Sequence, residues 1–285
     1  MRLSFIPLLV AAPAAAEPAP SDALAPVVMP ELVARSRIEL GVTAATLQIT
    51  DEAATARLGV RYAVIPAVEL FGRLTWNGYT IAIECETSPC SGQSLGNTVL
   101  GARYLHDVPL VTGRLALAGA AWGWLPTAGG GSGVGGQDAA FFGGLEDTRA
   151  FHGGLAAGTS AAAAWYGERA LVQAEAGLAI DLDPDEGGGA VVDNLFFALA
   201  AGRHVREQLS LVGEWRFDVY PPAPAGMLAG PYVRFRQAPG LALAKDDGSR
   251  VAWRVRVHAI MNNNYFLDHV VDGIAIGFDW NGYLP

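Results

Sequence analysis

The feature that most constrains the fold of this chain is an alternation of apolar and polar residues with a period of two, which recurs from about residue 36 to the C-terminal end. In residues 251–259, VAWRVRVHA, apolar side chains occupy alternate positions, and two arginines and a histidine lie between them. Residues 208–220 repeat the pattern. Because successive side chains of a β-strand point to opposite faces, this period predicts strands with one apolar and one polar face.

Two folds contain such strands: a water-soluble sandwich with its apolar faces inside, and a membrane barrel with its apolar faces outside. Several alternating segments have ten or more residues, which is about the number that a tilted strand needs to cross a bilayer. Strands of soluble proteins usually have about five or six residues. The chain is also 51% hydrophobic and only 16% charged, yet after the first twenty residues it has no apolar run long enough for a membrane helix. The segment lengths therefore favour the barrel.

The connections between the segments alternate in length. Short ones are expected at 65–66, 106–109, 167–168 and 204–207, and longer ones at 84–96, 125–148, 183–190, 221–226 and 262–269. Short periplasmic turns opposite longer external loops are typical of bacterial outer-membrane barrels. The expected connection at 237–250 is long for a turn on the periplasmic side.

The fold class predicted from these patterns is all-β: a transmembrane antiparallel up-and-down β-barrel of about 12 strands, with short periplasmic turns and longer external loops. An even number of strands leaves both chain ends on the periplasmic side. The predicted strands start near residues 36, 56, 67, 97, 111, 149, 169, 192, 208, 228, 251 and 270.

A weak internal repeat accompanies the short turns. The segments LGVRYAVIPAVEL, LGARYLHDVPLV, AAGRHVREQLSL and YVRFRQAPGLAL each place an arginine, usually beside an aromatic residue, just before an expected turn. We expect these aromatic residues at one membrane interface, where outer-membrane barrels carry an aromatic girdle.

The hairpins LGVRYAVIPAVEL and LGARYLHDVPL, and the long strand that ends at LPTAGGG, resemble bacterial outer-membrane β-barrel proteins of the type grouped as transporters with the phenol-degradation outer-membrane family. The resemblance covers most of the chain from about residue 36. It implies an outer-membrane barrel that admits small or hydrophobic molecules. The chain departs from the pattern of such barrels in ending GFDWNGYLP rather than on an aromatic residue, and it lacks the Asn-Pro-Ala hatch motif of long-chain fatty-acid channels.

The N-terminal residues predict export. Residues 1–16 combine one arginine, an apolar stretch and three alanines at 14–16, which is the pattern of a signal peptide cleaved after Ala16. We therefore expect the protein in the cell outer membrane. Residues 17–35 are rich in proline and alanine and either enter the barrel lumen or lie in the periplasm. Residues 36–285 form the predicted transmembrane barrel.

The chain has two cysteines, Cys85 and Cys90, on either side of a Ser-Pro turn. In an oxidising compartment two cysteines this close most often form a local disulfide that fixes a loop. A metal site would need further ligands nearby, and no histidine is close in sequence. A disulfide between Cys85 and Cys90 is therefore predicted.

If the apolar faces meet lipid, the charged residues of the strands point into the lumen. Carboxylates and guanidinium groups in a narrow interior are expected to pair, because an isolated buried charge is costly. Such pairs suit both a closed barrel held by ion pairs and a polar pore whose charges select solutes. The candidate lumen-lining residues are Arg57, Arg61, Arg73, Arg103, Arg114, Glu175, Glu214, Arg216, Asp218, Arg254, Arg256 and His258, accompanied by Glu39, Glu69, Arg234, Arg236 and Asp279.

Other kinds of site are not indicated. The acidic loop 181–189 lacks the glutamate that a calcium loop carries at its twelfth position, and the glycine-rich run 128–137 lacks the Lys-Ser/Thr ending of a phosphate-binding loop. His152 and Ser160 share a strand face but lie too far apart for a hydrogen bond, and His258 has no serine in its own strand. We expect no catalytic residue, no metal and no cofactor. With 28 acidic and 19 basic residues, we also expect no nucleic-acid partner.

Two hypotheses of function follow. In the first, the protein is an outer-membrane barrel in contact with lipid that acts as a channel or transporter for small molecules, hydrophobic ones included. In the second, it is a closed outer-membrane barrel with a structural or surface-binding role. A soluble secreted sandwich is the remaining alternative.

The predicted disulfide is directly testable. We expect the unfolded but unreduced protein to show no reaction with a thiol reagent, and two reactive thiols after reduction, as measured by mass spectrometry. The Cys85→Ser variant serves as the control, because it leaves Cys90 without its partner and reactive before reduction. Free thiols in the unreduced native sequence would contradict the pairing.

Overall fold

The computed structural model describes residues 34–47, 51–81, 90–127, 155–182, 191–206, 209–221, 234–246, 250–263 and 273–284. These residues form strands and tight turns. The strands are β1 (Arg37–Leu47), β2 (Asp51–Ile65), β3 (Val68–Ile81), β4 (Cys90–Leu95), β5 (Thr98–Leu110), β6 (Gly113–Leu125), β7 (Ala156–Tyr166), β8 (Ala170–Asp181), β9 (Val191–Arg206), β10 (Leu209–Tyr220), β11 (Arg234–Asp246), β12 (Val251–Asn263) and β13 (Gly273–Tyr283). In the described part of the chain, no helix has the length and hydropathy needed to span a membrane.

The sheet is a closed antiparallel barrel. Strands that follow one another along the chain pair with one another, and β1 pairs with both β2 and β13, which closes the ring. Strand β3 pairs with β5 through Val68–Arg73 and with β4 through Trp76–Ile81, so β4 and β5 share one place in the ring on either side of Gly96 and Asn97. The barrel therefore has twelve strand positions, which confirms the predicted fold class and strand number.

One end of the barrel carries the short connections between β2 and β3, β5 and β6, β7 and β8, β9 and β10, and β11 and β12, together with the start of β1 and the end of β13. We call it the turn end. The opposite end, the loop end, carries most of the longer connections. The connection between β1 and β2 is an exception, because it spans only residues 48–50.

Apolar side chains point outwards and polar, charged or small side chains point inwards, as the alternation predicts. Along β2, for example, Leu58 and Val60 are exposed, whereas Thr55 is buried and Arg61 is largely shielded. An exposed apolar face on every strand suits a barrel surrounded by lipid. The outward residues include Leu40, Val42, Leu70, Leu100, Leu117, Val172, Leu195, Leu211, Leu241, Val257, Ile276 and Phe278.

Aromatic residues also lie on the outer face. Tyr62 and Tyr104, the aromatic residues of the first two repeat segments, are more than half exposed. Towards the loop end, Trp215 and Phe217 of β10 have ring centroids 6.0 Å apart, and Phe217 stacks on Phe235 of β11 at 5.8 Å. Such outward rings are typical of the aromatic girdles of membrane barrels.

The sequence misplaced two strand starts. Strands β2 and β7 start at Asp51 and Ala156, not near 56 and 149, because the alanines around both starts carry little alternation. The long turn expected at 237–250 is wrong: β11 runs from Arg234 to Asp246 and leaves a connection of four residues before β12. The proline at 239 suggested a turn, but it lies inside β11.

Strand β11 accommodates Pro239 by giving up hydrogen bonds on one side. The pairing with β12 is interrupted between Gln237, opposite Met261, and Gly240, opposite His258, without a change of register. The pairing with β10 continues through Pro239 opposite Trp215. Proline has no N–H to donate, so the hydrogen bonds between β11 and β12 are interrupted where it lies in the strand. Because β11 starts at the loop end, the fourth repeat segment, around Phe235, lies there and does not precede a turn.

The outward face predicts a depth-dependent response to charge. We expect Val257→Arg, at the middle of β12, to lower the free energy of unfolding by about 2–4 kcal/mol, because it places a guanidinium in the hydrocarbon region. Leu110→Arg, at the turn end of β5, is the matched control and should cost about 0–1 kcal/mol. Urea unfolding in lipid vesicles measures both. Equal costs at the two positions would contradict a lipid-facing outer surface.

Candidate functional site

Most of the charged side chains that point into the barrel lie in groups of ion pairs, which together we call the ionic belt. It extends around the inside of β1, β2, β3 and β5, and of β10, β11, β12 and β13, with one member on β8. Its members are Arg37, Glu39, Arg57, Arg61, Glu69, Arg73, Arg103, Glu175, Glu214, Arg216, Asp218, Arg236, Arg254, Arg256, His258 and Asp279.

The first group of the belt is a chain of alternating charges. Arg37 and Arg61 both donate to Oε1 of Glu39, over 2.8 and 2.7 Å. Arg61 also donates to Glu69 over 2.8 Å, and Arg103 donates to both oxygens of Glu69 over 3.1 and 3.2 Å. Three guanidinium groups therefore share two carboxylates across β1, β2, β3 and β5.

The second group connects β12, β13 and β2. Arg57 donates to Oδ1 of Asp279 over 2.9 Å, and Arg256 lies 3.4 Å from Oδ2 of the same carboxylate. Arg57 reaches Asp279 across β1 at Gly41, where a Cβ would lie 2.8 Å from Asp279 Oδ1 and 3.2 Å from Arg57. A side chain at this position would have to displace the ends of the two paired side chains. Arg256 also donates to the Thr43 hydroxyl over 2.8 Å.

The third group is centred on Asp218, which is fully buried. Arg216 donates to both oxygens of Asp218, over 3.0, 3.0 and 2.8 Å. Arg236 adds two bonds to Oδ2 over 3.2 and 3.0 Å, and the Asn194 amide donates to Oδ1 over 3.2 Å. Arg216 also lies over the ring of Phe196, 4.9 Å from its centroid. One carboxylate thus holds two arginines, with bonds from three adjacent strands.

The fourth group joins β10 to β12 across β11. His258 Nε2 lies 3.2 Å from Oε2 of Glu214, and Arg254 lies 3.8 Å from Oε1. The imidazole lies over Gly240 of β11, where a Cβ would collide with the ring carbons. As at Gly41, the glycine lets a long side chain lie flat across the intervening strand.

Glu175 is the member of the belt that lies on β8. It is buried, and Ser160 of the neighbouring strand β7 is its hydrogen-bond partner. The opposite charges that act on it are those of Arg216, Arg103 and Arg61, which lie on other strands. The field of the belt therefore extends across the lumen.

The ionic belt carries more positive than negative charge. Within the described part of the chain it contains nine arginines and six carboxylates, and the charge of His258 depends on its protonation. The excess is opposite in sign to the net charge of the whole chain, which is −9. An interior with this balance attracts anions.

A second part of the interior is apolar and built largely from small residues. We call it the alanine wall; it covers the middle and the turn-end half of β5 to β11. Its members are Leu105, Ala116, Ala118, Ala162, Ala164, Tyr166, Leu171, Ala198, Ala200, Val212 and Ala242. Towards the loop end, the larger rings of Phe71, Trp122 and Trp124 pack with Val99, Ala156 and Ala179.

The structure places eleven of the twelve predicted lumen-lining residues in the ionic belt. Arg114 lies instead at the rim of the turn end, where it pairs with the exposed Asp107 over 3.2 Å and lies 4.4 Å from the centroid of the Tyr166 ring. The residues Glu39, Glu69, Arg236 and Asp279 join the belt as expected. Cys85 and the two loops considered for calcium and phosphate fall largely or wholly outside the described residues, so the disulfide stays a prediction.

Three features of the interior were not predicted. Arg37 was assigned only to the start of a strand, and Asn194 to no role. The inward rings of Phe71, Trp122 and Phe196 have apolar character, so the alternation alone assigned such residues to the lipid face. The glycines opposite them, such as Gly101 beside Phe71, are the available sequence signal, because they mark places where a large inward side chain needs room.

The structure also joins Ser210 to His204, which lie on adjacent strands at the turn end, with 3.0 Å between the hydroxyl and Nδ1. Sequence reasoning missed this pair, because the two residues lie on different strands. The Ser210 side chain is fully buried, which keeps its hydroxyl away from a substrate. Among the described residues, no group of three or more His, Cys, Asp or Glu side chains is arranged to hold a metal ion.

A closed antiparallel barrel with an apolar outer face and a charged interior defines the class of the fold: an outer-membrane β-barrel. The barrel is similar to the crystal structure of an outer membrane channel from Pseudomonas putida F1, with a TM-score of 0.62 and 11% identity over 92% of this chain and 98% of that one. It also resembles the NanC porin, with a TM-score of 0.50 and 6% identity over 87% of this chain and 100% of that one. No protein-family model and no curated protein sequence matches the chain. At these identities the similarity establishes the fold.

The Asp218 group predicts a large loss of stability on neutralisation. We expect Asp218→Asn to lower the free energy of unfolding by about 3–5 kcal/mol, because Arg216 and Arg236 would stay buried without their carboxylate. Asp107→Asn, which removes the partner of Arg114 at the exposed rim, is the control and should cost about 0–1 kcal/mol. Unfolding in denaturant measures both, and a small effect at Asp218 would show that its arginines are neutralised elsewhere.

Proposed function

We propose that the protein is an outer-membrane channel for small organic anions that carry an apolar part. The observation that carries this proposal is the ionic belt with its excess of arginine, which lies on the inner face of a barrel whose outer face suits lipid. The fold that it shares with a bacterial outer membrane channel supports the same role. The barrel lies in the outer membrane, with its turn end towards the periplasm.

The two surfaces of the interior would act on different parts of a solute. Arginines attract a carboxylate, sulfonate or phosphate by charge and by hydrogen bonding, and rings of such residues are the usual device of anion pores. The alanine wall offers an apolar surface opposite the belt. A solute with an anionic head and a hydrophobic body can contact both, whereas an organic cation is repelled by the belt.

Arg254 is a sensitive position for testing this idea. Its 3.8 Å separation from Glu214 is the longest of the belt's ion pairs given above, and Glu214 keeps His258 as a hydrogen-bond partner when Arg254 is changed. Replacing it therefore changes the charge of the lumen and leaves Glu214 with a hydrogen-bond partner.

The ionic belt also supports a second candidate function, a closed barrel with a structural or surface-binding role. The belt residues Arg37, Arg103, Arg236 and Arg256 are nearly excluded from solvent, and so are Glu69 and Asp218. Fully paired, buried charges of this kind would make the barrel rigid. In this case no solute crosses, and neither function requires an enzymatic step.

Measurements of conductance distinguish the two functions. We expect the folded chain in planar bilayers to conduct, with a reversal potential in a salt gradient that shows preference for the anion. Arg254→Gln should lower the ratio of anion to cation permeability, on the order of twofold, because it removes one positive charge from the lumen. Lys245→Gln, which removes a charge from the outer face near the turn end, is the control and should leave the ratio unchanged.

Liposome swelling extends the test to organic solutes. Swelling should be faster with benzoate than with benzylammonium, two solutes of similar size and opposite charge. A preference for the cation would contradict the proposed substrate class. Absence of conductance at every voltage, in protein that shows the heat-modifiable gel mobility of a folded barrel, would favour the closed barrel.

A further inference from the structure

Three aromatic residues on the inner face of the barrel keep part of their surface open to the lumen. They are Phe71 of β3, Trp122 of β6 and Phe196 of β9, and each is partly exposed, whereas Trp124 beside them is only 1% exposed. Because burying apolar surface is favourable, the open parts of these rings are surface on which an apolar solute in the lumen can bind.

A glycine beneath each ring sets the orientation of the ring. In the register of the sheet, each of the three residues is directly opposite a glycine of an adjacent strand, and a Cβ at that glycine would collide with ring atoms. The rings therefore lie across the neighbouring strand, along the barrel wall, with one side towards the lumen. The pairs are Phe71 with Gly101, Trp122 with Gly158, and Phe196 with Gly177.

The three rings form one surface, which we call the aromatic platform. Phe71 and Trp122 are both opposite Gly101, one on each side of it. The rings of Trp122 and Phe196 approach each other from β6 and β9, and their centroids are 6.4 Å apart. Trp124 packs edge-on against Trp122, with centroids 5.9 Å apart, and supports the indole. The platform therefore extends from β3 to β9, with Trp122 at its centre.

An arginine of the ionic belt lies at each end of the aromatic platform. Arg61 lies over the Phe71 ring, 5.1 Å from its centroid. Arg216 lies 4.9 Å from the centroid of the Phe196 ring. The side chains of these two arginines are 16% and 13% exposed, whereas that of Arg103 in the same belt is 1% exposed. An anionic solute that contacts the platform therefore has an accessible guanidinium at either end.

We propose that the aromatic platform is a binding subsite for planar organic acids and that Trp122 is its specificity-determining residue. The flat part of the solute stacks on Trp122, and its carboxylate lies towards Arg61 or Arg216. Contact between two aromatic rings contributes more than the burial of the same apolar area, so a flat ring is preferred to a saturated ring of equal charge. This inference deepens the proposed function and rests on it for the class of solute, an anion with an apolar part.

Competition between two acids tests this inference without any need for conduction. Benzoate and cyclohexanecarboxylate have the same charge and the same number of carbon atoms, but only benzoate has a planar ring. The probe is para-fluorobenzoate, whose fluorine NMR signal broadens when it binds to folded, detergent-solubilised protein. The measured quantity is the concentration of each competitor that halves this broadening, after subtraction of the broadening caused by micelles without protein.

We expect benzoate to halve the broadening at about a two- to tenfold lower concentration than cyclohexanecarboxylate, because a ring–ring contact contributes about this factor to an equilibrium constant. Trp122→Leu should bring the two concentrations close to equality or remove the broadening, whereas Trp122→Phe keeps a flat ring and should keep the preference. Trp165→Leu, which removes an indole from the outer face of β7, is the matched control and should leave the preference unchanged.

The inference is wrong if the native chain does not broaden the signal, if the two acids compete equally, or if Trp122→Leu keeps the preference. Where Trp122→Leu lacks the heat-modifiable gel mobility of a folded barrel, Phe196→Leu replaces it and should reduce the preference; an unchanged preference there has the same meaning. Conductance separates this inference from the proposed function. Anion conductance without a preference for benzoate contradicts the subsite alone, whereas the preference without conductance retains the subsite and contradicts the channel.

Discussion

The structure depends above all on the closure of its backbone hydrogen bonds into a ring. Lipid offers no donor or acceptor, so every strand in a bilayer needs a partner on both sides, and a sheet with free edges is not stable there. Here the closing contact is β1 with β13, paired without a break from Arg37 opposite Tyr283 to Leu47 opposite Gly273. That register fixes which side chains face inwards on all the other strands, because a slip of one residue would exchange the two faces.

The charged interior follows from this register together with a small number of glycines. Arg57 meets Asp279, and His258 meets Glu214, because Gly41 and Gly240 leave room for a side chain to lie across the strand between them. These two contacts are therefore properties of three neighbouring strands, whereas other pairs, such as Arg236 with Asp218, join adjacent strands. The pairs matter mainly because they leave no buried charge without a partner. Removing one partner of a buried pair destabilises the fold by more than the intact pair stabilises it.

The fold was predictable from the sequence because its main signal, the period of two, is local. The start of β12, a strand rich in branched apolar residues, was predicted at the correct residue. The start of alanine-rich β7 was not, because alanine has no marked preference for either face. The course of β11 was also missed, because Pro239 resembles a turn residue. Most members of the ionic belt were also predictable, since inward charge follows from the alternation, but Arg37 was missed and Arg114 lies at the rim instead. The pairings were not, because Asp218 with Arg236, or Ser210 with His204, depend on which strands are neighbours and in what register.

The alanine wall was the hardest feature to foresee, and it changes how the two candidate functions relate. Alanine side chains occupy little of the lumen, whereas the arginines of the ionic belt and the rings of Trp122 and Trp124 occupy more of it. The ionic belt keeps its charge excess in either case, because the arginines are fixed by pairs within the sheet. A barrel of this construction has an arginine-rich surface held by ion pairs on one side of its lumen and small apolar side chains on the other, and conduction depends on the space between the two.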